Sequence, residues 1–377
     1  MKSLFYAKKL VSYPSVSSQT NRNASLYIEN KLKKHGFATE RITYLDRNKV
    51  RKFNVVGKKG NGYGGLAYSC HSDVVPAEKW HSKKKGPFQP GIARDRLYGR
   101  GSCDMKGSIA CMLEAVQSVS WDRMKAPVYF VCTADEECGF AGAKQVAEKS
   151  ELYREIVDHQ TPMIIGEPTL LEVVYAHKGS YLIEITSKGL SAHSSTREGK
   201  NANLAMIPVL EEAKKIHDEF EEDSSWQNSL FDPPTLSWNI GINDYNSAIN
   251  MTPAQSVCTI YFRPMPAVDY EPALKRLEKV VNQQGLEMKK NQYGDPVYTD
   301  PESSFVKTAL ELSRKRKPRT VSYGTDGGAF TEVKNKIILG PGNIAQAHTE
   351  NEWIAIEQLS LGTQMYSKFL KRFCCEE

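Results

Sequence analysis

The chain has 377 residues, of which 40% are hydrophobic and 25% are charged, and its formal net charge is +6. This length exceeds what a single hydrophobic core usually fills, so two domains are expected in a folded globular protein. The mild charge, without a basic stripe that carries interleaved aromatic residues, excludes nucleic acid as the expected partner. No apolar stretch is long enough to span a membrane, which excludes an integral membrane protein.

The cysteines and the N-terminus indicate the compartment. The eight cysteines lack zinc-finger spacing and do not fit a small disulfide scaffold, so reduced thiols in a cytoplasmic protein are expected. The apolar run at the N-terminus is too short for a signal peptide. The basic runs 82–85 and 314–317 are expected to be solvated, with weak steering of an anionic substrate as the alternative.

Helices and strands alternate in the first half of the chain. In chain order, we predict helices at 3–12 and 21–35, strands at 54–57 and 65–70, a helix from 106 to about 119, a strand at 126–133, a helix at 142–150 and a strand at 162–166. This alternation is typical of an α/β domain built around a buried sheet.

The pattern changes near the middle of the chain. The predicted elements there are strand 181–187, helix 203–221, strands 236–242 and 257–263, helix 270–284 and strand 286–292. They form a β-α-β-β-α-β unit, which can fold as two layers by itself. Helix 303–316 and strand 336–339 then resume the first style. The sequence therefore predicts a discontinuous α/β domain with a central mixed sheet (1–176 and 293–377), and a second domain (177–292) inserted into it.

Histidine and carboxylate side chains follow the predicted strands or lie in loops of the first domain. They are His71, Asp73, Asp104, Glu136, Glu137, Glu167 and His348. Ligands of open α/β sheets bind outside the carboxyl ends of the strands, so these residues are expected to meet. A site for two divalent cations needs one bridging carboxylate and a histidine plus a carboxylate for each ion. Asp104, at the joint between a glycine-rich loop and an apolar helix, is the candidate bridge.

Two further acidic residues have predicted roles beside the ligands. Asp73 is expected to accept the ring proton of His71, which would fix the ligand tautomer. Glu136 is the candidate general base, because its side chain should point differently from that of its neighbour Glu137. Taken singly, these residues also fit a hydrogen-bonded histidine, a helix N-cap at Asp104 or a solvated acidic turn. The joint pattern of five donors favours the metal site.

Five segments of the chain resemble the M20 family of di-zinc aminoacylases and deacetylases. They are 71–76, 99–107, 135–137, 166–169 and the loop around His348. The resemblance implies two Zn²⁺ ions, with Co²⁺ or Mn²⁺ as alternatives, bridged by Asp104, which a cis peptide bond follows. It implies His71 and Glu167 as the remaining ligands of one ion. Glu137 and His348 would serve the other ion.

The resemblance also implies an activity, with Glu136 as the catalytic base in hydrolysis of the amide of an N-acyl amino acid. The second domain resembles the lid and dimerisation domain of the family, so a homodimer is implied. His193 matches a histidine that reaches into the partner subunit's site and stabilises the oxyanion there. Asn250 and Arg263 match substrate-binding positions, and an arginine can hold a carboxylate by two parallel hydrogen bonds. The alternatives are a surface-loop histidine at 193 and a salt bridge within the lid at Arg263.

Within the family, four stretches resemble the acetylornithine deacetylases. They are 176–179, 193–195 with 199–202, 262–266 and 340–348. The loop 324–330 is more glycine-rich than the Glu-Ala-Pro loop expected in that group, and it backs the substrate, so side-chain specificity stays open. Gly324 and Asp326 are its candidate substrate contacts. Asp326 would pair with a substrate ammonium or, alternatively, only form a turn.

The sequence leaves other activities open. Within the family they are succinyl-diaminopimelate desuccinylase, aminoacylase and dipeptidase. Outside it, a binding protein with the same fold but without the chemistry would be expected to lack the base or a ligand. This chain keeps Glu136 and all five ligand positions.

Overall fold

Residues 1–81 and 86–376 are described by a computed structural model, and they divide into two units. The first unit comprises Met1–Ala176, Val297–Arg319 and Thr325–Glu377, and the second comprises His177–Pro296 with Thr320–Gly324. The basic run at 82–85 lies outside the described residues. Among the described helices, none combines the length and the apolar character that crossing a bilayer requires.

The helices and strands of the described chain are numbered in chain order. The helices are α1 (Lys2–Val11), α2 (Arg22–Lys34), α3 (Lys106–Ser118), α4 (Ala141–Lys149), α5 (Glu151–Asp158), α6 (Ala202–Glu222), α7 (Glu271–Gln283), α8 (Ser304–Ser313) and α9 (Ile356–Cys374). The strands are β1 (Ala38–Leu45), β2 (Arg51–Lys59), β3 (Leu66–His71), β4 (Gly91–Ala93), β5 (Arg96–Tyr98), β6 (Val128–Thr133), β7 (Met163–Ile165), β8 (Val174–His177), β9 (Ser180–Lys188), β10 (Asn239–Asn243), β11 (Gln255–Phe262), β12 (Glu287–Gly294), β13 (Val297–Tyr298), β14 (Arg319–Val321), β15 (Lys336–Ile338) and β16 (Trp353–Ala355).

A mixed sheet forms the centre of the first unit. Its described strands follow the order β1-β2-β6-β3-β7-β15-β8-β13, and β14 pairs with β8. The central strands β6, β3, β7 and β15 run parallel to one another, whereas β1 and β2 are antiparallel additions at the edge. Strands β3 and β6 are buried along their whole length, as expected for strands covered on both faces. The predicted α/β class with a central mixed sheet is confirmed.

Helix α3 explains how the loop of Asp104 is fixed to this sheet. All of its residues from Lys106 to Leu113 are buried, and it packs against α1 and α9. A helix that is apolar on nearly every side belongs in a core, so its N-terminus is held firmly. The parallel strands β3, β6 and β7 end at the same edge of the sheet, next to that N-terminus. This arrangement gathers the residues of the candidate site.

The second unit has its own antiparallel sheet, in the order β10-β11-β9-β12. Helices α6 and α7 pack on it, so the chain order is the predicted β-α-β-β-α-β. Strand β10 begins at Asn239 instead of the predicted residue 236, because Ser237 has φ 53° and leaves the extended conformation. The separate lid-like sheet is confirmed, whereas the lid and dimerisation role of 177–292 stays a prediction.

Several short elements were not predicted. Strands β4, β5 and β16 form a small antiparallel sheet in the order β16-β5-β4. Each has only three residues, which is too few to show a period of two. Strand β16 also pairs with a partner that lies about 250 residues earlier, as the register of Trp353 with Tyr98 shows.

Candidate metal centre

The ends of the parallel strands deliver most of the candidate ligands. His71 is the last residue of β3, and Glu167 lies two residues beyond β7. Glu137 lies in the short 3₁₀ turn Glu136–Cys138 that follows β6. Asp104 precedes α3, and its peptide bond to Met105 is cis, as the family resemblance implied.

The first group of predicted ligands lies around one oxygen of Asp104. His71 Nε2 is 3.1 Å from Asp104 Oδ1 and 3.5 Å from Glu167 Oε1. All three side chains are nearly buried, with 1%, 9% and 6% of their surface exposed. The structure therefore brings together the three residues predicted to hold one ion.

The second group lies around the other oxygen of the same carboxylate. His348 Nε2 is 2.9 Å from Glu137 Oε2 and 3.4 Å from Asp104 Oδ2. The His348 side chain is 55% exposed, so this side of the cluster opens to solvent. Donor atoms of His71, Asp104 and Glu137 also lie within 4.8 Å of one another, which joins the two groups. Each oxygen of Asp104 thus faces one histidine, and each of these histidines also lies near one glutamate.

The electrostatics of the cluster fit divalent cations. Glu137 Oε1 is buried and has no hydrogen-bond partner. Burial, followed by the charge of Asp104, raises the pKa of Glu137 to about 7 and that of Glu167 well above its ordinary value. Hydrogen bonds with Asp104 and Glu137 raise the pKa of His348 to about 10. The imidazole and carboxylate donors of this cluster are a suitable ligand set for Zn²⁺ and related metals.

Asp73 faces His71 through its backbone rather than mainly through its side chain. His71 Nδ1 donates to the Asp73 carbonyl oxygen at 3.0 Å, whereas the nearest Asp73 carboxylate oxygen is 3.6 Å away. The carboxylate instead accepts from the backbone N–H groups of Glu136 at 3.2 Å and Glu137 at 3.3 Å. It also accepts from the Ser17 hydroxyl at 2.8 Å. The side chain of Asp73 therefore holds the turn that carries the proposed base.

Glu136 is buried beside the ligand cluster. Burial raises the pKa of its carboxyl group well above the ordinary value, and the charges of Glu167 and Glu137 add to this effect against the opposing effect of His71. A raised carboxyl pKa is the direction that suits a general base working near neutral pH.

The turn before Glu136 has a buried support that the sequence analysis missed. Asp135 has φ 57°, and its Oδ1 accepts from Lys52 Nζ at 2.8 Å while its Oδ2 accepts from the Tyr44 hydroxyl at 2.7 Å. In the sequence, this contact was indicated only by the position of Lys52 beside the apolar residues of β2. A second missed residue is Glu352, a buried carboxylate beside the loop of Asp104. Its position shortly after His348 was the only signal.

Asp326 is buried in the first unit, with 2% of its surface exposed. Its Oδ2 accepts a hydrogen bond from the Thr133 hydroxyl, its Oδ1 is buried without a hydrogen-bond partner, and burial raises its pKa to about 7. It also starts the 3₁₀ turn Asp326–Gly328. This placement favours the turn-forming alternative, and pairing with a substrate ammonium stays a prediction.

In the second unit, the structure brings His193 and Asn250 to one exposed place. His193 forms a bridge with Met251, and the Ser194 N–H donates to the Asn250 carbonyl at 2.9 Å. Both predicted residues are exposed, and His193 Nδ1 lies 2.7 Å from the Ser195 hydroxyl.

Arg263 and Gly324 also lie together in the second unit. Arg263 Nη1 donates to the Ser180 hydroxyl at 2.6 Å, and a Cβ atom at Gly324 would lie 3.4 Å from the same nitrogen. The second acceptor of Arg263 is the Gly179 carbonyl at 3.4 Å. These partners are neutral, whereas the salt-bridge alternative requires a carboxylate.

Histidines and carboxylates that meet at the carboxyl edge of an α/β sheet define a site suited to divalent metal ions, such as metal-dependent hydrolases use. The family model "Peptidase family M20/M25/M40" matches residues 67–372, and the chain belongs to this family.

Curated relatives match the chain over nearly its whole length. An acetylornithine deacetylase of Myxococcus xanthus is 30% identical over 386 residues, which cover 97% of this chain and 96% of the relative. An acetylornithine deacetylase of Buchnera aphidicola (subsp. Schizaphis graminum) is 29% identical over 383 residues, which cover 97% of each chain.

Two solved structures share the fold. The M20 family metallo-carboxypeptidase Sso-CP2 of Sulfolobus solfataricus superposes with a TM-score of 0.76 at 18% identity and 99% coverage of both chains. A dinuclear metal-binding M20 peptidase of Bacillus subtilis superposes with a TM-score of 0.63 at 14% identity, covering 98% of this chain and 96% of that one. The predicted family is thus confirmed.

Proposed function

We propose that this hydrolase cleaves the amide bond of an N-acyl amino acid, that N-acetyl-L-ornithine is its substrate, and that it acts in arginine biosynthesis in the cytoplasm. The observation that carries the amidohydrolase proposal is the carboxylate of Asp104, whose two oxygens face two separate histidines. The choice of substrate is supported by the full-length relatives named acetylornithine deacetylases, at 29–30% identity.

The metal centre would hold two Zn²⁺ ions, with Co²⁺ or Mn²⁺ as alternatives. Asp104 would bridge them, with His71 and Glu167 completing one site. Glu137 and His348 would complete the other. The unpartnered Glu137 oxygen supports this assignment, because a buried carboxylate oxygen without a partner is costly unless a cation binds it.

The proposed reaction is a hydrolysis. Bound divalent cations would supply Lewis acidity that polarises the amide carbonyl and lowers the pKa of a water molecule. Glu136 takes the proton of the attacking water and returns it to the leaving amine, which releases acetate and a free amino acid. His193 of the partner subunit donates to the developing oxyanion. Arg263, with Asn250, holds the substrate, and its guanidinium suits a carboxylate.

The second candidate is another activity of the family: succinyl-diaminopimelate desuccinylase, aminoacylase or dipeptidase. The specific observation is the loop 324–330, which lacks the Glu-Ala-Pro sequence expected in acetylornithine deacetylases. A panel of N-acetyl-L-ornithine, N-succinyl-diaminopimelate, other N-acetyl amino acids and dipeptides, compared by kcat/KM, distinguishes these activities. A dipeptide preferred by more than about tenfold would replace the deacetylase proposal.

Glu136→Gln tests the base. The variant should keep both metal equivalents but lose about 10²- to 10⁴-fold in acetate release, because the amide is nearly the same size and cannot take a proton. Glu148→Gln, at an exposed position of α4, is the matched control and should behave as wild type. A wild-type rate in Glu136→Gln would remove Glu136 from this role, and a wild-type protein without bound metal would refute the centre itself.

The dimer is proposed from the family resemblance and from exposed apolar side chains of the second unit. Ile242, on the edge strand β10, is 63% exposed, and Leu204 on α6 is 66% exposed. Mixing His193→Ala with Glu136→Ala subunits tests the donated histidine. Random exchange makes half of the dimers mixed, each with one intact site, so about a quarter of wild-type activity should return. No recovery in a mixture shown to exchange subunits would contradict the donation.

A further inference from the structure

Glu352 is a buried carboxylate without a role in the chemistry proposed above. It is 1% exposed, it immediately precedes β16, and it follows His348 by four residues. Charged side chains are rarely buried to this extent unless they are paired with other groups. Its contacts show what these surroundings are.

Both oxygens of Glu352 accept hydrogen bonds from the loop that carries Asp104. Oε1 accepts from the backbone N–H of Cys103 at 2.8 Å and from that of Asp104 at 3.0 Å. Oε2 accepts from the backbone N–H of Gly101 at 2.8 Å and from Arg100 Nη1 at 2.8 Å. The loop therefore surrounds this carboxylate in the way that a nest of N–H groups surrounds a bound anion.

The loop cannot easily keep this shape without the carboxylate. Gly101 has φ 82°, and a Cβ atom there would lie 2.7 Å from Val74 Cγ1, so the backbone is in a conformation that suits glycine alone. The Gly99 N–H also donates to the Glu352 carbonyl at 3.1 Å. Three inward-pointing N–H groups would be buried without an acceptor if Glu352 were absent.

We propose that Glu352 is a positioning residue that fixes the backbone of 101–104 and thereby directs the Asp104 carboxylate toward both cations. Because Glu352 and His348 lie on one short segment, the same contact ties the segment of one ligand to the loop of the bridging ligand. This inference rests on the proposed metal centre. Glu352 itself touches neither substrate nor metal in this assignment.

Glu352→Gln is the test variant. The amide keeps the size of the side chain, but one oxygen is replaced by an NH₂ group that would face N–H donors. Supporting residues of this kind typically change metal affinity by 10- to 100-fold when altered, so we expect about that loss for Zn²⁺ and Co²⁺ in chelator competition. The visible absorption spectrum of the Co²⁺ protein should also change, because the bridging carboxylate moves. The Glu350 side chain is half-exposed and contacts the His81 ring. Glu350→Gln is therefore the matched control and should keep the wild-type affinity and spectrum.

Glu352→Asp keeps the charge but is one methylene shorter, and it should bind the metals more tightly than Glu352→Gln. Thermal unfolding of each metal-free variant separates positioning from stability. Unchanged affinity and an unchanged Co²⁺ spectrum in Glu352→Gln would overturn the inference, whether or not its Tm falls. Failure of both Glu352 variants to fold would also overturn it, since the residue would then serve the fold alone. Wild type should bind two equivalents of Co²⁺ in the same experiment, and a wild type that binds none would refute the metal centre instead.

Discussion

Replacing Lys52 with methionine removes a buried ammonium that supports the turn before the proposed base. Lys52 is 1% exposed, and its Nζ donates to Asp135 Oδ1 at 2.8 Å and to the carbonyls of Ser17 at 2.5 Å and Gln19 at 2.9 Å. Asp135 is 2% exposed, and its remaining partner is the Tyr44 hydroxyl. Methionine is similar in length and carries no charge, so the variant leaves a buried carboxylate without its cation.

The expected loss in the free energy of unfolding follows from the groups that the substitution leaves unpaired. Removing one partner of a buried ion pair typically costs about 3–5 kcal/mol, and two backbone carbonyls also lose their donor, so we expect the upper half of that range. Tyr44→Phe removes one hydrogen bond to a charged group and should cost about 1.5–3 kcal/mol. Lys52→Met combined with Asp135→Asn should be more stable than Lys52→Met alone, because residue 135 then carries no charge and only the Asp46 carboxylate, 12% exposed and 3.4 Å from Lys52 Nζ, has lost its cation.

Denaturant unfolding of the metal-free proteins measures these differences. Lys34→Met, at an exposed position of α2, is the control and should lie within about 0.5 kcal/mol of wild type. Burial raises the pKa of Asp135. A carboxyl whose pKa is raised on folding destabilises the fold above the folded pKa, and the effect disappears as the group protonates. Lys52 lowers this pKa, so its removal raises the pKa further, and the penalty of Lys52→Met should shrink as the pH falls through the folded pKa of Asp135 in the variant. A penalty below about 1 kcal/mol at pH 8 would refute the reasoning.

Three further changes should have measurable effects. Burial alone would raise the pKa of Glu29, but hydrogen bonds from Lys33 and Arg41 lower it. The free energy of unfolding of Glu29→Gln should therefore be lower than that of wild type by on the order of 1 kcal/mol above about pH 4.5. This difference should vanish as the pH falls through the folded pKa of Glu29. Denaturation at several pH values measures it. A Cβ atom at Gly166 would lie 2.4 Å from the buried hydroxyl of Ser108. Gly166→Ala should therefore lower the free energy of unfolding by about 1–3 kcal/mol and weaken Zn²⁺ binding. An unchanged Tm would contradict this packing. Phe369→Ala empties a fully buried site on α9 and should cost about 3–5 kcal/mol in the same assay, and a loss below 1 kcal/mol would show that the core collapses around it.

The sequence predicts the parts of the site that lie next to strong local patterns. The apolar runs of β3 and β6 are long enough to identify buried strands, so the polar residues after them could be placed at one edge of the sheet. Helix α3 is similarly evident because nearly every residue is apolar or small. The five ligands were found because each follows such an element or belongs to a motif of the family.

The residues that were missed depend on contacts that no local pattern encodes. Glu352 reaches the loop of Asp104 across 248 residues of chain, through a three-stranded sheet that is too short to predict. Lys52 meets Asp135 across 83 residues, and a lysine in a strand is ordinarily expected to face solvent. Both are charged groups whose burial is explained only by the tertiary fold. The sequence shows which residues do the proposed chemistry more readily than which residues hold them in place.

The buried charges of the centre explain why its metal binding should be linked to protons. Asp104 and Glu137 surround His348, and their hydrogen bonds raise its pKa to about 10, so the metal-free protein holds an imidazolium there at neutral pH. An imidazolium has no lone pair for a metal, and a cation can bind only as the proton leaves. The metal-free site is therefore neutralised by protons, and the loaded site would be neutralised by cations. Because the carboxylates stay buried in both states, a cation that displaces these protons must supply the positive charge that compensates their burial.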